Sequence, residues 1–136
     1  MKKLFLLIPI LFLASCAGSG MKSGLLLQQI NTNQTKVFVK RDTGYHGLAA
    51  LVKVTLNGMT IGELGNGEII SANVNGNSGM ISAGFTGIAS IASSRVTRQF
   101  KINKGEKLYF VIKQDVGMIS TKLSIYETDK NDFFSN

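Results

Sequence analysis

The strongest periodic signal in the chain is the alternation of Val52, Val54 and Leu56 on one face with Lys53 and Thr55 on the other, the period of two expected of a half-buried strand. Asn57-Gly58 follows at once. Both central residues of a type I′ turn need positive φ, which these two residue types tolerate, so Leu56 and Met59 should flank a tight hairpin whose return strand carries Ile61 and Leu64. Gly65-Asn66-Gly67 marks a second reversal into Glu68–Val74, and Asn75-Gly76-Asn77-Ser78-Gly79 marks a third. Upstream, Lys36-Val37-Phe38-Val39-Lys40 is a β-prone run between charges. Downstream, Val96, Arg98, Phe100 and Ile102 alternate with polar neighbours, and Asn103-Lys104-Gly105-Glu106 turns the chain again. Lys107–Lys113 is apolar on both faces, which places it in the middle of a sheet, and Lys122–Glu127 is the last strand. Turns spaced roughly every ten residues, with no proline inside any run, predict an all-β antiparallel sandwich or barrel of about seven strands.

A different pattern opens the chain. Met1-Lys2-Lys3 is basic, and Leu4–Leu13 is an apolar run interrupted only by Pro9. A spanning helix takes about 20 apolar residues; this run is shorter and suits the core of a signal peptide. It ends in Leu13-Ala14-Ser15-Cys16, which resembles the lipobox of bacterial lipoproteins: a branched apolar residue, two small ones, then an obligatory cysteine. The resemblance implies cleavage before Cys16 and a thioether-linked lipid on its sulfur, the only cysteine of the chain. The alternative is an ordinary secretory signal whose cleavage site contains a cysteine. Three acyl chains hold a protein far more firmly than one, which binds only marginally. In Gram-negative lipoproteins an aspartate after the cysteine favours inner-membrane retention. Ala17 therefore implies an outer-membrane address facing the periplasm, or the cell membrane in a host with only one.

Length and charge refine this picture. The 136 residues suffice for one domain, and the segments divide as a signal peptide (1–15), a flexible Gly/Ser-rich tether (16–34), the β-sandwich (35–128) and a C-terminal tail (129–136). Within the tether, Leu25-Leu26-Leu27 is either a docking segment or an early strand. The formal charge of +7 includes Lys2 and Lys3, so the chain after cleavage keeps a net charge of +7 − 2 = +5, thinly spread. No basic run interleaves with aromatics, so no nucleic-acid partner is expected. Weak attraction to anionic lipid or sugar stands beside a plainly solvated, lysine-dotted surface.

The β region carries a second resemblance. Lys-Val-Phe-Val-Lys-Arg at 36–41, Val-Thr-Leu-Asn-Gly-Met-Thr-Ile-Gly-Glu-Leu-Gly-Asn-Gly at 54–67 and Asn-Lys-Gly-Glu-Lys-Leu-Tyr-Phe-Val-Ile at 103–112 resemble the PEGA-like β-sandwich domains. They are similar, more narrowly, to a group of small bacterial lipoproteins whose domain has no assigned function. The family's Pro-Gly turn is replaced here by Asn75-Gly76, with a glycine-rich insertion after it. The resemblance implies a transthyretin-like or carbohydrate-binding-like sandwich at the cell envelope and brings no catalytic residues.

The chemistry-bearing residues are few. His46 is the only histidine, and with the one cysteine at the lipidation position no usual zinc site, which takes three or four N/S ligands, can form. Nothing resembles a nucleophile elbow. Glu63, Glu68, Glu106 and Asp115 fall at turns or strand ends, where solvated acids are usual. The expectation is a protein that is not an enzyme and needs no cofactor beyond the covalent lipid on Cys16. Tyr45-His46, in the loop Asp42–Gly47, forms a candidate binding loop for a glycan or lipid headgroup, against the plainer reading of solvated loop residues.

The oddest stretch is Ile69–Ser94, which contains no charged residue. Its second half is small, apolar and glycine-punctuated, and three readings remain open: a buried strand pair with a glycine turn, an exposed apolar loop meeting lipid or a partner, or a self-association segment. Burial is favoured for Ile69–Val74 and exposure for Gly84–Ser94, which makes Phe85, Ile88 and Ile91 candidate membrane or partner contacts. The expected function is a non-enzymatic envelope lipoprotein, tethered to the membrane by lipid and contacting an envelope protein. The alternative is a glycan- or lipid-headgroup-binding module.

Overall fold

A computed structural model describes residues 18–20, 30, 33–43, 50–91, 93–117 and 120–135. They form β1 (Lys36–Arg41), β2 (Val52–Leu56), β3 (Met59–Leu64), β4 (Ile69–Asn73), β5 (Ser78–Phe85), β6 (Val96–Lys101), β7 (Lys107–Val116) and β8 (Thr121–Thr128). A 3₁₀ turn spans Gly87–Ser90 and one short helix, α1, spans Lys130–Phe134. The strands make two four-stranded sheets, ordered β4-β1-β7-β8 and β3-β2-β5-β6. All described pairings are antiparallel except β1 with β7, which run parallel from Lys36 opposite Lys107 to Arg41 opposite Ile112. The chain is all-β, as its alternation predicts.

The β2–β3 hairpin follows its sequence closely. Asn57 and Gly58 both take positive φ, 51° and 83°, and Leu56 faces Met59 across the turn. Gly67, Gly76 and Gly105 also take positive φ at the reversals marked by their polar neighbours. β7 lies between β1 and β8, the interior place its two apolar faces require.

The main core fills the space between the sheets. Val37, Val39, Leu108, Phe110, Ile112, Leu123 and Ile125 from one sheet meet Val52, Val54, Leu64, Ile81, Ala83 and Phe100 from the other. Phe100 and Phe110 touch ring to ring across the layers, with centroids 5.4 Å apart. A second cluster covers the outer face of the β4-β1-β7-β8 sheet, where Phe38, Ile69, Tyr109 and Val111 alternate with the core residues. Ile30 and Phe133, from the two ends of the chain, close over it.

Three expectations change. The charge-free stretch supplies a strand beyond the seven read from turn spacing: β5, inserted between β2 and β6. Ser78, Gly79, Ser82 and Gly84 dilute its alternation, but small residues are what its neighbours demand. A Cβ on Gly79 would run into the Phe100 ring, and Gly84 lies beneath the Arg95 side chain. The C-terminal tail is packed structure. The Asp129 carboxylate caps α1 by accepting from Asp132 N at 2.9 Å, and Lys40 Nζ donates to Phe133 O at 3.1 Å, fixing a fully buried Phe133. The described part of the tether is docked: residues 18–20 lie along the β3 edge, and Ile30 is buried.

Candidate functional site

One end of the sandwich gathers the features that could act outside the core. There β1, β3, β5 and β7 finish, and the chain makes its 65–68 and 86–95 connections. Arg41, the last residue of β1, holds this end together. Its Nη1 donates to Ala50 O at 2.6 Å and Leu64 O at 3.1 Å, and its Nη2 donates to Gln114 Oε1 at 3.3 Å. The guanidinium lies 5.9 Å from the Phe85 ring centroid. Burial pushes the Arg41 pKa below its ordinary value, while nearby Glu68 opposes the shift. Glu68 is itself buried, and its Oε2 accepts from Gly65 N at 2.8 Å. The Arg41 charge is held by hydrogen bonds to three segments, which offset the cost of burying a cation, and these bonds fix loop positions.

The N-terminal segment enters at the same end. Ser19 N donates to Glu63 O at 2.7 Å, and Glu63 N donates to Ser19 Oγ at 2.7 Å. Just before it, Gly18 fits against Glu63, Gly65 and Glu68 so closely that a Cβ there would collide with all three. The β3 edge is thus covered at its last residues by the chain's own beginning.

The β5–β6 connection is the apolar feature of this end. Ile88 is 87 % exposed and Ile91 is 86 % exposed, and no residue of the 3₁₀ turn between Gly87 and Ser90 is buried. Gly87 takes φ 65° to start the turn, and Ser90 Oγ donates back to Gly87 O at 2.6 Å. Phe85 departs from the expectation of a surface contact. It is 7 % exposed because β5 extends to it, pairing it with Val52 and placing its ring under Arg41. Arg95 and Lys122 line one cavity at this end, where β6 and β8 begin, with Asp115 opposite Lys122 in the β7–β8 ladder.

The opposite end is different in kind. Beside the β2–β3 hairpin, an open cleft of about 590 Å³ is bounded by Asn57, Met80, Gln99, Phe100 and Lys101. Met59 stands next to it, 73 % exposed.

Cys16, Tyr45 and His46 lie outside the described residues; Asp42 and Ala50, on either side of the Tyr45-His46 loop, belong to the Arg41 end. Glu63, Glu68, Glu106 and Asp115 do not converge: Glu63 and Glu68 flank one turn, Glu106 caps Asn103 N at 2.7 Å across the molecule, and Asp115 lies on β7. Among the described residues, no group of three His, Cys, Asp or Glu side chains could hold a metal ion, and no helix is long and apolar enough to cross a membrane. The role of Arg41 escaped the sequence reading, because a basic residue at a strand end looks like a solvated one. Compared with known proteins, the chain matches no family model and no curated protein.

Proposed function

We propose that this chain is a non-enzymatic lipoprotein of the cell envelope, held at the outer membrane by lipid on Cys16 and contacting a protein partner from the periplasmic side. The observation that carries the reading is the seating of Gly18–Gly20 on the β3 edge, two residues beyond Cys16. Two peptide units span at most about 7 Å, so a lipid on Cys16 would hold the sandwich close against the bilayer, always by the same end. Attachment always by that one end suits a module that presents its other end to something else. That other end carries Met59 and the cleft beside Phe100, an apolar floor ringed by amide and lysine groups.

We read the sandwich as transthyretin-like, in keeping with the PEGA-like resemblance. Two sheets of four strands, with β1 and β7 parallel at the centre of one of them, support this.

Two measurements test the proposal. Cys16→Ala should yield an uncleaved precursor that takes up no labelled palmitate; normal processing and membrane retention would overturn the lipoprotein reading. A photo-crosslinking side chain at Gln99 should give one discrete protein adduct in intact cells, absent when the same group is placed at Lys53. Equal diffuse labelling at both positions would remove the partner.

A further inference from the structure

The β2–β3 hairpin and the β5–β6 turn each expose large apolar side chains, but at opposite ends of the molecule. Met59 is at one, and Ile88 and Ile91 are at the other. Only the second end also receives the N-terminal segment. Glu63, which pairs with Ser19, stands opposite Lys53 in β2, and Lys53 stands opposite Gly84 in β5. Three strand spacings of about 4.8 Å separate Ser19 from Gly84, so residue 19 and the start of the β5–β6 connection are roughly 14 Å apart on one rim. Gly18, which leads back to Cys16, lies beside Gly65, beyond the last residue of β3.

The composition of the turn fits a place at a membrane surface. From Ile69 to Ser94 there is no charged residue whose burial would oppose insertion, and the first one after it is Arg95. Arg95 and Lys122, which line one cavity beside the starts of β6 and β8 at this same end, supply cations that anionic headgroups would attract. The turn is short and tied by Ser90 Oγ to Gly87 O, so both isoleucines are presented on a closed loop and not on a free segment.

We infer that the Gly87–Ile91 turn is a bilayer-inserting wedge, burying Ile88 and Ile91 at the headgroup–acyl boundary of an anionic phospholipid membrane beside the Cys16 lipid. This inference rests on the lipoprotein reading above. The wedge gives the anchor a second point of attachment, and two points on one rim hold the sandwich upright where one would let it swivel.

The chain has no tryptophan, so one introduced at a chosen position is a unique reporter. The lipidated full chain carrying Ile88→Trp, and separately Met59→Trp, is reconstituted into vesicles of phosphatidylethanolamine and phosphatidylglycerol. Palmitate labelling and intact mass establish that lipid is present. The expected result at position 88 is a blue-shifted emission, strong quenching by acyl-brominated lipid and loss of quenching by aqueous iodide. Position 59 should remain open to iodide and untouched by brominated lipid. If the lipidated protein shows iodide quenching at 88 equal to that at 59, the wedge is overturned and the anchor stands. Shielding from iodide without quenching by brominated lipid also overturns it, since a second protein surface then covers the turn. Absence of lipid from the mature chain overturns anchor and wedge together.

Discussion

Ser19 and Glu63 are joined by two reciprocal hydrogen bonds, the Ser19 amide donating to the Glu63 carbonyl and the Glu63 amide to the Ser19 hydroxyl, each at 2.7 Å. The pairing depends on Gly18, because a side chain there would meet Glu63, Gly65 and Glu68. Gly18→Leu should therefore lift the segment from the β3 edge. The expected readout is loss of hydrogen-exchange protection at the Glu63 amide, with little change in the melting temperature because the main core is untouched. Retained protection would show that the segment tolerates a side chain, and that its seating is looser than the contacts indicate.

The division of the charge-free stretch is open to a paired test. Ile81 is fully buried between the sheets, so Ile81→Lys places an unpaired cation in the core and should abolish folding or cost several kcal/mol. Ile88→Lys, seven residues on and 87 % exposed, should stay within about 0.5 kcal/mol of wild type in urea unfolding. Similar losses at both positions would mean that the turn is packed.

The C-terminal helix should matter far more than its five residues suggest. Phe133 is fully buried, its ring centroid 5.2 Å from that of Tyr109, and its carbonyl receives Lys40 Nζ. Phe133→Ala should cost about 3–5 kcal/mol, the range for emptying a buried aromatic site. A chain ending at residue 128 should lose at least as much. Thermal unfolding close to that of wild type would show that the outer cluster is dispensable.

Tyr109 gives stability a dependence on alkaline pH. Burial disfavours its phenolate and raises its pKa above the ordinary 10.0, so the folded chain keeps this proton to higher pH than the unfolded chain does. The linked stability is fully present below about pH 10 and is lost as pH rises through the folded value. Tyr109→Phe should flatten the fall in unfolding free energy between pH 9 and 11, as seen in urea titrations at each pH. An identical slope in the variant would assign the alkaline loss to other groups.

The hairpin at Asn57-Gly58 and the interior place of β7 were legible because local chemistry alone decides them: positive φ at a two-residue turn, and apolar side chains on both faces of one strand. β5 was not, because its small residues answer to partners far away in sequence. Gly79 is shaped by Phe100, and Gly84 by Arg95. Phe85 was misread for the same reason; its cover is Arg41, which sits at the end of a strand read as simply charged. The exposed position of Ile88 and Ile91 could be read, since nothing in a run of glycine and serine makes a strand with two good faces. That this turn shares a rim with the N-terminal segment could not, because rim membership is set by sheet order and register.

The parallel pairing of β1 with β7 has a consequence in time. β1 is an inner strand of its sheet, and one of its two ladders is made with residues 107–112. Hairpins such as β2–β3 can close as soon as their turn exists, on the scale of microseconds. The first sheet must wait until nearly the whole chain is free to fold, so its assembly is dominated by long loop closure and falls among the slow β topologies. Until then β1 carries an unpaired edge of Val37, Phe38 and Val39, three consecutive β-prone apolar residues open to pairing with another chain. Lys36, Lys40 and Arg41 bracket those three residues and keep that edge from self-pairing while it waits.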